Sequence, residues 1–158
     1  MPEETPVQQK FALQRIYVKD VSFESPASPM IFTKAWKPKI QVDLNTRSGA
    51  VADNSYEVIL TVTITAKLEN DETAFLVEIH QAGLFLAEGI EGDQLRQLLG
   101  IAAPNMLFPY LREAVDGLVV KGGFPALSLQ PVNFEALYRQ AEEQAAARKA
   151  EEPAATTH

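Results

Sequence analysis

Two long segments of this chain alternate apolar and polar residues with a period of two. Tyr56 to Leu68 places Val58, Leu60, Val62, Ile64, Ala66 and Leu68 on one face and Ile59, Thr61, Thr63, Thr65 and Lys67 on the other. That is the pattern of a strand with one buried face. After an acidic turn, Glu69 to Glu72, the segment Thr73 to Gly83 runs back with Phe75, Val77 and Ile79 against Leu76, Glu78 and His80. Upstream, Lys39 to Leu44 sets Ile40, Val42 and Leu44 against Lys39, Gln41 and Asp43, and Asn45 to Asn54 is expected to form a hairpin loop around Gly49, Asp53 and Asn54. Phe11 to Phe23 is rich in strand formers, but neither of its alternating sets is uniformly apolar. This strand is therefore expected either to be partly covered on both faces or to bulge. Connections this short imply an antiparallel sheet of four strands.

Beyond Gly83 the period changes to that of a helix. Asp93 to Leu99, between Gly92 and Gly100, predicts a short helix. Leu107, Leu111, Ala114, Val115, Leu118 and Val119 form the apolar stripe of a longer one, with Asn105 expected as its cap, Pro109 in its first turn and Gly122-Gly123 at its end. A third helix is expected from Asn133, a good capping residue, with Phe134, Leu137, Tyr138 and Ala141 at helical spacing. Its second half, Glu142 to Ala150, is alanine-rich and charged and has little to bury. Strands followed by helices predict an α+β fold, a four-stranded antiparallel sheet with helices packed on one side. The 158 residues suit one domain, expected at 11–150, with a disordered leader at 1–10 and a disordered tail at 151–158.

Composition narrows the chemistry. The net charge of −7 disfavours a nucleic-acid partner, and the absence of cysteine excludes disulfides, thiol catalysis and thiolate metal sites and suits a reducing compartment. The first ten residues carry no apolar core of signal-peptide length, and no run approaches a membrane span, so a soluble cytoplasmic protein with no membrane insertion is expected. The two histidines, His80 and His158, are far apart, and neither a phosphate-binding loop nor a Gly-x-Ser-x-Gly elbow occurs. No cofactor, metal site or catalytic constellation is expected. Asp93, at a helix start, is the single carboxylate that an enzyme reading, such as a small thioesterase-like fold, has to work with.

Three surfaces carry the functional expectation. Phe32 and Trp36 lie in a proline-rich connection, Ser25 to Pro38, with Phe124 and Leu127 in a later loop and Phe134 and Tyr138 on the third helix. Each packs in a core, or together with the alternating Ile40, Val42 and Leu44 they line an apolar groove that accepts many sequences. Asp20 and Glu24 share one side of the first strand, and Leu76 and Glu78 one side of the fourth. If these strands pair, the four make a flat exposed patch, which is either a solvated strand face or a docking site. A half-apolar sheet face and a lightly covered helix call for burial beyond one chain, and Val77, Ile79 and Gln81 are the expected subunit contact.

Several longer motifs bear on the same question. Gln14-Arg15-Ile16-Tyr17, Ala66-Lys67-Leu68 through Phe75, Gly89-Ile90-Glu91-Gly92, Pro104-Asn105-Met106-Leu107-Phe108-Pro109-Tyr110 and the run from Phe124 to Phe134 together resemble the SecB family of bacterial export chaperones. The resemblance implies a homotetramer built as a dimer of dimers, which binds unfolded secretory precursors in the cytoplasm without ATP. It implies handover to the SecA motor through Asp20, Glu24, Leu76 and Glu78, within the motifs Lys19 to Glu24 and Ala74 to Glu78, toward a basic, zinc-binding tail whose zinc belongs to SecA. Two other readings stay open: a SecB-like chaperone dedicated to a toxin–antitoxin pair, and the small thioesterase-like enzyme.

Overall fold

The computed structural model describes residues 8–151. Four strands, β1 (Lys10–Glu24), β2 (Lys39–Ala52), β3 (Ser55–Lys67) and β4 (Thr73–Glu88), form one antiparallel sheet in the order β1-β4-β3-β2. Three helices follow: α1 (Gly92–Gln97), α2 (Ala103–Lys121) and α3 (Phe134–Glu151). The expected leader at 1–10 and tail at 151–158 fall mostly outside the described residues; Lys10 opens β1 and Glu151 closes α3.

The alternation of β3 and β4 sorts their side chains as expected. Val58, Leu60, Val62, Ile64, Phe75, Val77, Ile79 and Phe85 are buried beneath α2, whose Leu107, Leu111, Val115 and Val119 are fully buried against them. Gly83 lies in β4 on this helix side, where a Cβ would meet Phe85 and Leu107 side-chain carbons at 2.8 and 2.9 Å. Glycine here lets the helix approach the sheet closely.

β1 resolves its irregular pattern by bulging. Register slips occur between Leu13 and Arg15 and between Val18 and Asp20. Each extra residue, Gln14 and then Lys19, flips the alternation once. Phe11, Leu13, Ile16, Val18, Val21 and Phe23 consequently all lie opposite the helix-side residues of β4, from Ala87 to Val77.

Four expectations on boundaries are corrected. Asn45 to Asn54 is not a loop: β2 continues to Ala52, with Asn45 opposite Thr61 and Gly49 opposite Glu57, and the turn is Asp53-Asn54 with Asn54 at φ 60°. An edge strand satisfies its backbone on one side whatever its exposed side chains are, so polarity did not end it. β4 likewise runs through Gly83 to Glu88. Gly100 does not end a helix, because Leu98–Ala102 form a π-helical turn that joins α1 to α2. Asn105 therefore lies inside α2, exposed, and caps nothing; Pro104 takes the first turn and Pro109 stands within the helix. Pro104 has no N–H for the Gly100 carbonyl and its ring would strike it, and the wider turn immediately upstream relieves that conflict. Asn133 does cap α3, its Oδ1 accepting the Ala136 N–H at 3.0 Å.

Candidate functional site

A single helix about 10 Å wide cannot roof four strands spaced about 4.8 Å apart. α2 lies over β4 and β3. The apolar rows of both edge strands are left without a helix of their own, one on each side of α2. The sheet's other face is mixed: Asp20, Glu24, Glu57 and Glu78 share it with Ile59, Leu76, Ala82, Leu84 and Leu86. These three surfaces are the candidate sites.

On the β2 side, Ile40 and Val42 are 37% and 39% exposed and Leu44 is half-buried. The segment from Leu127 to Val132 stands across from them, with Phe108 also lining the space, and the cleft encloses roughly 560 Å³. A second hollow of roughly 300 Å³ adjoins through Leu44 and is lined by Thr46, Gly100, Phe134, Leu137 and Tyr138. Gly100 allows this packing, since a Cβ there would meet the Tyr138 ring at 2.6 Å. Burial, then the hydrogen bond and charge of Glu142, raise the Tyr138 phenol above its usual value, so it stays neutral.

Near the β2 start an aromatic cluster forms. Phe124 packs 5.2 Å from Trp36, 5.3 Å from Phe32 and 5.1 Å from Phe75, ring centre to ring centre. Phe32 is half-exposed, Trp36 partly buried and Phe124 buried. The Lys34–Glu72 ion pair and a bond from the Ser25 hydroxyl to the Ala74 carbonyl pin the connection that carries Phe32 and Trp36, and Lys34 holds the Glu72 carboxyl below the usual range.

The structure thus brings Ile40, Val42, Leu44 and Leu127 into one cleft, Leu44, Phe134 and Tyr138 into the next, and Phe32, Trp36 and Phe124 into one cluster. Phe124 and Phe134 are buried and support these surfaces from beneath. Leu129, Val132, Phe108 and Leu137 also line the clefts and went unrecognised in the sequence. The apolar residues at 127, 129 and 132 were the available signal, in a segment that has no regular structure.

On the opposite face, cross-strand register unites the acidic residues. Glu24 faces Leu76, Ser22 faces Glu78 and Asp20 faces His80. All four expected patch residues share this surface, with Thr63 and Thr65 of β3 beyond them. His80 is mostly buried and pairs through Nε2 with Glu78 at 3.0 Å. Further along, Glu57 accepts hydrogen bonds from Lys19 at 2.8 Å and from the Tyr17 hydroxyl. The Lys19 bond first, then Tyr17, holds Glu57 below the usual carboxylate range; burial first, then Glu57, pushes the Tyr17 phenol up to about 12.

On the β1 side, Val18, Val21 and Tyr110 are 49%, 48% and 47% exposed around a groove of roughly 550 Å³ between β1 and α2. Of the three expected subunit-contact residues, Ile79 and Gln81 line this groove from beneath and Val77 is in the core. Gln81 is 2% exposed and donates its amide to the Tyr17 carbonyl at 3.2 Å. Val18, Val21 and Tyr110 were not singled out in the sequence. Asp93 is exposed on α1 and pairs with Arg96, one turn on. Among the described residues no helix is long and apolar enough to cross a membrane, and no three His, Asp or Glu side chains gather as metal ligands.

Comparison with known proteins supplies the remaining observation. Residues 4–145 match the family model described as preprotein translocase subunit SecB. The chain is 59% identical to the protein-export protein SecB of Hahella chejuensis, over 87% of this chain and 86% of that one. It is 58% identical to the SecB of Marinobacter nauticus, over 85% and 81%, and 54% identical to that of Pseudomonas paraeruginosa, over 84% and 82%. Among solved structures, a SecB-like chaperone of Mycobacterium tuberculosis, in complex with a peptide of the HigA1 antitoxin, is similar over 77% of this chain and 90% of its own, with a TM-score of 0.62 at 14% identity. That likeness is one of fold.

Proposed function

The chain belongs to the SecB family of protein-export chaperones, and from that premise we propose that it holds unfolded secretory precursors along the β2 cleft, in the cytoplasm and without ATP. The observation that carries this reading is the half-exposed row Ile40, Val42 and Leu44 on an edge strand, facing an apolar wall with no charged side chain lining the cleft. Apolar burial at about 25 cal/mol per Å² rewards any hydrophobic segment that reaches it. The free edge of β2 adds main-chain donors and acceptors that do not read sequence.

The outer sheet face suits handover. Asp20, Glu24 and Glu78 around Leu76 offer a flat acidic surface to a basic segment of SecA. The β1–α2 groove suits assembly, with Val18, Val21 and Tyr110 closing against a second copy over Ile79 and Gln81, toward a homotetramer of roughly 70 kDa from chains of 17.4 kDa.

The relatives at 54–59% identity carry the export name, whereas the likeness to an antitoxin-binding chaperone is at 14%, which favours general export over a dedicated toxin–antitoxin role. A thioesterase-like activity has only Asp93 to rest on, and its neighbour in the structure is Arg96. The test is replacement of Ile40, Val42 and Leu44 together by Ala. Capture of an unfolded precursor, measured by suppression of its aggregation, should weaken roughly tenfold, since each truncated side chain removes part of the buried area. Unchanged capture by a variant that assembles normally would move the client site elsewhere.

A further inference from the structure

One acidic side chain behaves unlike the rest of this charged chain. Asp116 stands on α2, five residues before the helix ends at Lys121, and is only partly exposed. Aspartate is a poor helix former, because its short side chain competes for backbone hydrogen bonds outside the helix. Its position therefore costs α2 stability, so something outside the helix has to offset it. The contacts identify what. Asp116 Oδ1 accepts the backbone N–H of Leu127 at 2.9 Å and that of Ser128 at 3.1 Å.

Those two amides belong to the wall of the β2 cleft. Between the end of α2 and the cap of α3, the chain from Pro125 to Val132 has no regular secondary structure. Among the described residues, the two bonds to Asp116 are the hydrogen bonds that tie this stretch to the rest of the fold. Ser128 also lies at φ 49°, a left-handed conformation that a non-glycine residue holds only when its surroundings impose it. The clamp thus fixes Leu127 at one end of the wall, and Leu129 and Val132 follow from it along the cleft.

We propose that Asp116 is the positioning residue of the β2 cleft: through its two bonds to the Leu127 and Ser128 amides it sets how far the 127–132 wall stands from Ile40 and Val42, and so how well the cleft grips an extended apolar chain. The proposal rests on the client-cleft reading above. A short side chain with a fixed acceptor is suited to this task because one oxygen serves both amides and so holds an irregular segment that no strand or helix partner stabilises. Release of the clamp lets the wall move, and an apolar guest then pays to order it on binding.

The test uses the full-length assembled protein and reduced, carboxymethylated lactalbumin as a permanently unfolded probe. Asp116→Ala should weaken probe binding roughly five- to twentyfold. Asp116→Asn, whose amide oxygen still accepts both bonds, should stay within about twofold of wild type, since hydrogen-bond geometry outranks charge here. Hydrogen exchange at the Leu127 and Ser128 amides should speed up in the Ala variant and not in the Asn variant, with the mass by light scattering unchanged in both. If Asp116→Ala binds normally while the Ile40, Val42 and Leu44 triple variant does not, the clamp proposal is overturned and the cleft reading stands. If the triple variant also binds normally, the cleft reading itself is overturned. An Asn variant as weak as the Ala variant overturns the two-bond mechanism. Should the Ala variant not assemble, Asp116→Glu, which keeps the charge and displaces the accepting oxygen by one methylene, decides: exchange and affinity must change together, and faster exchange with unchanged affinity, or no change in either, overturns the proposal.

Discussion

The two faces of the sheet are made by opposite means. The outer face comes from simple alternation: Asp20, Ser22 and Glu24 of β1 lie beside Leu76, Glu78 and His80 of β4 because antiparallel partners point the same way. The helix-side face comes from coverage. Its apolar rows run across all four strands, but α2 is one helix wide and protects the middle pair, so hydrophobic surface is left at both edges. Exposed charge interacts at a distance and is screened by salt, whereas exposed apolar area acts on contact and is not weakened by that screening. On the proposed function, a folded partner and an unfolded one would use opposite sides of one sheet and so not compete for the same surface.

The sharpest way to break that division is to reverse the charges on the outer face. Asp20→Lys, Glu24→Lys and Glu78→Lys together should weaken SecA binding by roughly a hundredfold, and the wild-type interaction should itself fall as salt rises past about 0.1 M. Suppression of client aggregation should hold within about twofold. A reversed variant that binds SecA normally would reduce the patch to a solvated strand face.

The next largest effect is expected on the apolar side of the same strand. Val18→Asp places a carboxylate in the β1–α2 groove without touching the outer face. Dissociation into smaller species should become evident at concentrations at least tenfold higher than for wild type, because an unpaired charge in an apolar contact is costly to desolvate. Sedimentation that shows an intact tetramer for this variant would place the subunit contact elsewhere.

The smallest effect concerns the outer face's internal ion pair. Glu57 is held below the usual carboxylate range by Lys19 and Tyr17, so its contribution is complete above the ordinary value of 4.5 and fades as pH falls through its depressed one. Glu57→Gln should lower stability at neutral pH by about 0.5–1 kcal/mol, and that deficit should shrink toward zero in acid. Tyr17 works in the opposite direction: with its phenol raised to about 12, its contribution is whole below pH 10.0 and is lost as pH climbs through 12. Tyr17→Phe should flatten that alkaline loss. Urea midpoints measured from acid to alkali check both signs, and a Glu57→Gln deficit that grows in acid would contradict the assignment.

Most of what was legible in advance is local. Alternation over Tyr56–Leu68 and a stripe every three to four residues from Leu107 to Val119 report which side of an element is buried, because side-chain direction repeats every 2 residues in a strand and every 3.6 in a helix. Asn133 as a cap needed only the residues next to it. The acidic patch was legible only on condition that β1 pairs with β4, first strand with last, which the sequence left open and the register supplied. The motif likeness across most of the chain pointed to the family, which the matched relatives then established.

What only the tertiary structure decided is non-local. Two bulges, at Gln14 and Lys19, put six apolar residues of β1 on one side, and their positions depend on β4. The polar run from Asn45 to Ala52 became strand because β3 offered its backbone, and hydrogen bonding of that kind leaves no mark on side-chain pattern. Gly100 read as a helix end until Pro104 and the Tyr138 ring made it part of a wide turn within a continuing helix. Leu129 and Val132 were mute as loop residues until Asp116 and β2 gave them a place. Sequence periodicity records which face of an element avoids water; which part of that face stays uncovered is set by how wide the covering helix is and where it lies.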